Sequence, residues 1–197
     1  MERTPTIGFL THGHFTIYCF DGFAKSRQFA GREGPGLNHG EIVLREDTHP
    51  DVRFYYREQF KIYHEPYLIW NWITWETVLS SCTVYRIEVD GAYAGDVIFE
   101  EKGRGGLYLV DFSLLPEYQG RGFGKEVLER VKTMARKLTA TTRKETLGFF
   151  LKAGFVLRKT LRDFYDDGVD GYDVIYVRSR SIPRRTPARQ RRARQFR

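Results

Sequence analysis

Between residues 41 and 178 the apolar positions switch between a period near two and a period near 3.6, and each switch predicts a change of element. EIVLRED (41–47) predicts a first strand. From 51 to 63, Phe54, Phe60 and Ile62 interleave with Arg53, Arg57, Glu58 and Lys61, which predicts a helix with Pro50 at its first position and Thr48 or His49 as cap. Pro66 breaks it, and a second helix is expected through LIWNWITWETVL. TVYRIEVDG, AYAGDVIFEEK and LYLVDFSLL predict three strands, the first two joined by a tight turn at Asp90-Gly91 and the third largely buried. Val127, Leu128, Val131, Met134, Ala135 and Leu138 then recur at helical spacing, opposite Glu129, Arg130, Lys132, Arg136 and Lys137, and predict a helix over 125–138. A strand at LTATT, a helix over 144–153 and two strands, 155–165 and 172–178, complete the pattern, with a turn at Asp166-Asp167-Gly168. Before residue 41 the signal is weak: IGFLTHGHFTIYCF suits one or two strands and GREGPGLNHG a loop.

One connection carries chemistry. PEYQGRGFGKEV (116–127) places three glycines, Arg121 and Lys125 between a buried strand and an amphipathic helix. The first N–H groups of a helix lack internal partners and lie at its positive end. Glycines let an anion approach them, so the turn is a candidate phosphate or pyrophosphate cradle. It is not a Walker A loop, because Glu126 follows Gly124-Lys125 and Gln119 stands where the first glycine would be. It is not a dinucleotide fingerprint either, since Lys125 replaces the last glycine.

What remains, Gln119-Gly120-Arg121-Gly122-Phe123-Gly124, is Q-x-x-G-x-G. With its flanking strand and helix it resembles motif A of the GNAT (acyl-CoA-dependent N-acetyltransferase) superfamily. FFLKAGF (149–155) is similar to the family's late helix followed by Gly-Phe. The resemblance spans roughly 41–177, and the element order βααβββαβαββ is the one the family would have. It implies an α/β fold around a mixed, mostly antiparallel sheet. It divides the chain into an extension (1–40), an acetyltransferase domain (41–177) and a tail (178–197).

The resemblance implies acetyl-CoA as co-substrate, with no metal. Gln119, Gly120, Arg121, Gly122, Phe123, Gly124 and Lys125 would hold its pyrophosphate. Phe112 and Leu114 would offer main-chain contacts along the preceding strand, and an N–H near Leu114 would face the oxyanion. An amine acceptor is protonated at neutral pH, so a base is needed. In some members of the family a glutamate on this strand serves, and by spacing from Gln119 that place falls on Tyr108. Asp111, in an Asp-x-Ser-Leu context that some members share, is the favoured base, offset by about one residue that a β-bulge would absorb. A carboxylate in an apolar strand otherwise calls for a salt bridge or a capping role. Glu100 and Glu101 are reserves. The family's tyrosine acid falls on Phe150, which donates no proton, so Phe150 remains only a candidate cofactor contact. Arg143 stands where an asparagine is frequent. Tyr108, Tyr118 or solvent would then protonate the thiolate.

Composition narrows the setting. Apolar residues make up 41% and aromatics 15%, which excludes a disordered chain. No apolar run reaches membrane-spanning length, and MERTPTIGFLTHGH has no signal-peptide pattern. Cys19 and Cys82 form no framework or metal spacing and are expected as free thiols in a reducing cytoplasm. His12 and His14 have no third ligand nearby in the sequence. The net charge of +7 includes nine arginines in residues 178–197, which hold no acid; 7 − 9 leaves −2 for residues 1–177. Such a tail suits nucleic acid or an acidic partner as well as a solvated terminus. Tyr63 and Tyr67 with Trp70, Trp72 and Trp75 offer aromatic faces to an acceptor, although Trp72 and Trp75 are expected mainly in the core. Asp163, Asp166, Asp167 and Asp170 predict an acidic exposed hairpin. An N-acetyltransferase, a regulatory acyl-CoA-binding domain and a tail-localised, ribosome-associated acetyltransferase are the readings in play, and a homodimer is a further expectation.

Overall fold

The computed structural model describes residues 40–178; the N-terminal extension with His12, His14 and Cys19, and the tail beyond Arg178, lie outside the described residues. The chain runs β1 (Ile42–Glu46), α1 (Val52–Ile62), α2 (Trp72–Ser81), β2 (Thr83–Val89), β3 (Ala92–Lys102), β4 (Gly106–Leu114), α3 (Phe123–Met134), β5 (Lys137–Thr142), α4 (Lys144–Lys152), β6 (Val156–Asp166) and β7 (Val169–Val177). Short 3-10 turns occupy Pro66–Leu68 and Pro116–Tyr118. One sheet has the order β1-β2-β3-β4-β5-β7-β6. Each neighbouring pair is antiparallel except β4–β5, which is parallel. This is the mixed, mostly antiparallel α/β fold that the motifs imply.

Local chemistry moves several boundaries. Helix α1 starts at Val52, not Pro50, because the Asp51 carboxylate accepts the Arg53 N–H at 2.9 Å and takes the capping role expected of Thr48 or His49. The second helix does not run from residue 68. Gln59 accepts the Trp70 N–H at 2.9 Å and donates to the Trp70 carbonyl at 3.0 Å, satisfying that residue outside any helix. Asn71 then caps α2 by accepting the Thr74 N–H at 2.9 Å. Helix α3 stops at Met134 because Lys137–Thr142 pairs with β4 and β7, so Leu138 belongs to a strand. In the β2–β3 hairpin, Asp90 (φ 52°) and Gly91 (φ 80°) form a two-residue turn whose twist matches the strands.

The sheet buries both faces. Ile87, Val97, Phe99, Leu109, Phe112 and Val174 pack against Phe123, Val127, Leu128 and Val131 of α3 and Phe150 of α4. On the other face Val84, Ile98, Tyr108 and Val110 meet Tyr55 of α1 and Trp75, Val78 and Leu79 of α2. Trp75 stacks on Tyr55 with ring centroids 5.8 Å apart, as a core tryptophan should. Trp72 departs from that expectation: it is 40% exposed, and its indole N–H donates to Glu76 at 2.6 Å.

Gly95 sits where β3 crosses the end of β4, opposite Leu114. Its φ is +155°, and a Cβ there would lie 2.1 Å from the Ser113 carbonyl oxygen. Because the obstacle is main chain, Gly95→Ala is expected to cost about 3 kcal/mol, or roughly 6–12 °C in Tm. Thermal unfolding followed by circular dichroism checks this.

Candidate active site

Strands β4 and β5 pair only from Gly106↔Lys137 to Leu109↔Ala140. Beyond that point β4 continues on β3 alone and β5 on β7 alone, so the two strands part and leave a cleft. The Leu115 N–H donates to the Ala94 carbonyl at 2.8 Å. Alternation along an antiparallel ladder then directs the main-chain groups of Asp111 and Ser113 toward β3 and those of Phe112 and Leu114 into the cleft.

The glycine turn closes the cleft at the end of β4. Gln119 Nε2 donates to the Leu114 carbonyl at 2.7 Å and ties the loop to the strand. Gly120 has φ 67° and Gly122, the N-cap of α3, has φ 89°. No protein atom lies within 4 Å of a Cβ built on either, so the left-handed backbone, rather than a protein neighbour, calls for glycine. Residue 122 brings no side chain to cap the helix, and the first intrahelical bond is Glu126 N–H to the Gly122 carbonyl at 3.2 Å. The N–H groups of Phe123, Gly124 and Lys125 thus have no acceptor within the helix. Lys125 and Arg121 are exposed, and the Arg121 guanidinium lies 5.0 Å from the Phe123 ring centroid. The Phe123 ring is core, so only its main chain belongs to the loop.

The cofactor candidate Phe150 is fully buried, edge-on to Phe149 at 5.3 Å and Phe155 at 5.1 Å. It is a core residue, whereas the neighbouring Phe149 faces Phe112 at 6.0 Å and is half-buried. Arg143, at the end of β5, is buried and pairs with Glu65 at 3.3 Å, which links β5 to the α1–α2 connection.

The four base candidates separate. Glu101 is exposed and pairs with Leu107, at the opposite end of β4 from the loop. Glu100 is ion-paired to Lys102. The Tyr108 hydroxyl donates to Thr141 Oγ1 at 3.1 Å, and burial pushes it up to about 12, out of range for a base near neutrality.

Asp111 stands beside the cleft. The β3–β4 register shifts between Ile98 and Phe99, leaving Val110 as an extra residue on β4. Val110 packs on the α1–α2 side, and the bulge brings Asp111 to that same side instead of the opposite one. There it is 2% exposed, and Oδ1 accepts the Tyr63 hydroxyl at 2.8 Å. Asp96 of β3 lies diagonally across, 3% exposed, with Oδ2 accepting the Tyr93 hydroxyl at 2.8 Å. Burial first, then the charge of Asp96, holds Asp111 well above the ordinary aspartate range. Burial raises Asp96 as well, while its hydrogen bonds and the nearby Arg86 pull the other way. Asp96 and Tyr93 went unmarked in the sequence. AGDVIF holds an aspartate in an apolar strand, the same signal that singled out Asp111.

Residues 45–155 match the sequence family described as the Acetyltransferase (GNAT) family. The chain belongs to the GNAT acetyltransferase family. No curated protein sequence matches it significantly. Solved GNAT structures share its fold at low identity. The ribosomal-protein-S18-alanine N-acetyltransferase of Escherichia coli is 16% identical over 73% of this chain and 98% of its own, with a TM-score of 0.61. Spermidine N-acetyltransferase from Vibrio cholerae is 15% identical over 74% and 98%, with a TM-score of 0.56. A GNAT acetyltransferase from Elizabethkingia anophelis, solved with acetyl-CoA bound, is 14% identical over 69% and 97%, with a TM-score of 0.53. Among the described residues of this GNAT chain, no group of three or more His, Cys, Asp or Glu side chains is placed to hold a metal ion.

Proposed function

We propose that the protein moves an acetyl group from acetyl-CoA directly to a primary amine, with Asp111 accepting the amine's proton. The observation that carries this reading is the parting of β4 from β5 beside an uncapped helix start. It turns the Phe112 carbonyl, the Leu114 N–H and the N–H groups of Gly124 and Lys125 toward one extended, anionic ligand. An acyl pantetheine chain ending in a pyrophosphate has that form. The glycine turn, Gln119, Arg121 and Lys125 hold the phosphates in this reading.

The acceptor's ammonium must lose a proton before nitrogen attacks the thioester. Asp111 is too enclosed for direct contact, so the proton travels through a hydrogen-bonded link. The Tyr63 hydroxyl, already donating to Oδ1, is the link in place. The Leu114 N–H faces the oxyanion that forms as the C–N bond is made. Holding both reactants in one cleft supplies much of the acceleration. Phe150 leaves the usual acid position without a donor, so the departing thiolate takes its proton from the attacking nitrogen or from solvent.

The test is incubation of the full chain with acetyl-CoA and a panel of spermidine, an aminoglycoside and an alanine-initiated peptide, following thiol release and product mass. An N-acetylated product with stoichiometric thiol is expected. Binding of acetyl-CoA with no acetylated amine would instead favour a regulatory acyl-CoA-binding domain, the reading that Phe150 supports.

A further inference from the structure

We propose that Asp96 is the positioning residue for Asp111: the two carboxyl groups share one proton between facing oxygens and work as a single proton acceptor. This rests on Asp111 being the base of the proposed transfer.

The pairing is built by strand register. Asp96 opposes Ser113 and Asp111 opposes Ile98, so the two aspartates are diagonal neighbours on one face of adjacent strands. Each has an oxygen engaged by a tyrosine hydroxyl, Tyr63 on Asp111 and Tyr93 on Asp96, both at 2.8 Å. The remaining Asp96 oxygen, Oδ1, is shut off from solvent and makes no well-formed hydrogen bond among the described residues, with the Ser113 hydroxyl beside the carboxyl. The two carboxyl groups lie within hydrogen-bonding reach of each other.

Ionised carboxylates only accept hydrogen bonds, and two of them facing each other in a closed site repel strongly. One proton between them removes both problems. It gives Asp96 Oδ1 a donor and reduces the pair to a single negative charge. The surroundings suit that charge. Arg86 of β2 opposes Asp96 in the register, and its guanidinium lies 4.5 Å from the Phe54 ring centroid and 5.2 Å from that of Tyr93. The other polar groups facing the pair are Tyr55 from α1, Tyr63 at its C-cap, Tyr93 from β3, and Ser113 and the Phe112 N–H from β4. Of these, Arg86 alone is positively charged. Arg86 and Tyr93 favour the charge on Asp96, so the shared proton rests mainly on Asp111, and Asp96 is protonated only when the pair takes a second proton.

The reaction balances as follows. The acceptor R–NH3+ gives one proton to Asp111 while the shared proton moves onto Asp96, leaving both carboxyls neutral. The freed nitrogen lone pair forms the C–N bond, the C–S bond breaks, and the thiolate leaves with that electron pair. A second nitrogen proton goes to the thiolate, and the pair returns its extra proton to solvent. A pair acting this way has two macroscopic titrations that belong to neither residue alone.

The test is carbon-13 NMR of the full chain labelled at aspartate carboxyls, titrated for wild type, Asp96→Asn and Asp111→Asn, alongside the pH dependence of kcat/KM. In wild type, one signal of the pair is expected to keep its protonated shift at least about two pH units above an ordinary aspartate. In Asp96→Asn the Asp111 signal should titrate at least one unit lower, and the acidic limb of kcat/KM should move with it while KM for acetyl-CoA holds. Tyr93→Phe, which removes the bond to Asp96 Oδ2, gives a second variant expected to move the titration upward. An Asp111 signal that titrates as an isolated aspartate in wild type, or that stays put in Asp96→Asn, overturns the proposal. The NMR needs no acceptor. A linked titration without acetylation of any amine would keep the pair and remove the acetyl-transfer reading.

Discussion

Gly122→Val is expected to weaken acetyl-CoA binding by roughly 30- to 100-fold, measured by calorimetric titration. Gly122 holds φ 89° at the N-cap of α3, and a β-branched residue there costs about 1–3 kcal/mol of backbone strain. The chain relieves that strain by turning residue 122 out of the left-handed region, which re-aims the N–H groups of residues 123–125. Two to three kcal/mol of lost binding corresponds to the stated range at about 1.4 kcal/mol per tenfold. Gly122 is exposed, with no protein atom near its Cβ position, so the fold itself should survive. Wild type that does not bind acetyl-CoA would reduce the glycine turn to a structural element. A variant that binds as well as wild type would detach the ligand from the α3 N-terminus.

Asp111→Asn is expected to lower kcat/KM by about 10²- to 10⁴-fold, the usual contribution of a positioned base, with acetyl-CoA affinity retained. A second readout follows from linkage. The folded value of Asp111 is raised above 3.8, so the folded state binds the proton more tightly than the unfolded chain. The stability this contributes is fully present below about 3.8, and it is lost as pH rises through the folded value. The Tm of Asp111→Asn relative to wild type should therefore climb as pH rises from about 4 toward neutrality. A constant difference would mean that Asp111 ionises as freely folded as unfolded.

Much of the architecture is legible locally. The Asp90-Gly91 turn, the buried run of β4 and the amphipathic face of α3 each follow from neighbours a few positions apart. The shifted boundaries arise where a distant side chain replaces a main-chain partner. Gln59 holds Trp70 from eleven residues away and delays α2. Leu138 continues the helical period of α3 yet joins β5, because β4 and β7 offer it a ladder. Counting back four from Gly154 puts Phe150 at the expected acid position, but the packing of Phe149 and Phe155 draws its ring into the core.

The site divides the same way. The Q-x-x-G-x-G spacing by itself marks the turn, because left-handed glycines before a helix are a local requirement of the backbone. It could not choose among Asp111, Tyr108 and Glu101, which lie within one hairpin of each other. Register sets where each of them stands. One extra residue at Val110 moves Asp111 onto the face where Tyr63 and Asp96 meet it, while Glu101 is left at the far end of the strand. The sequence determined the fold family and the left-handed glycine turn before α3, both written in short-range periodicity and spacing. Tertiary structure alone decided which carboxyl is enclosed and what it faces, because strand register, bulges and burial depend on residues far apart in the chain.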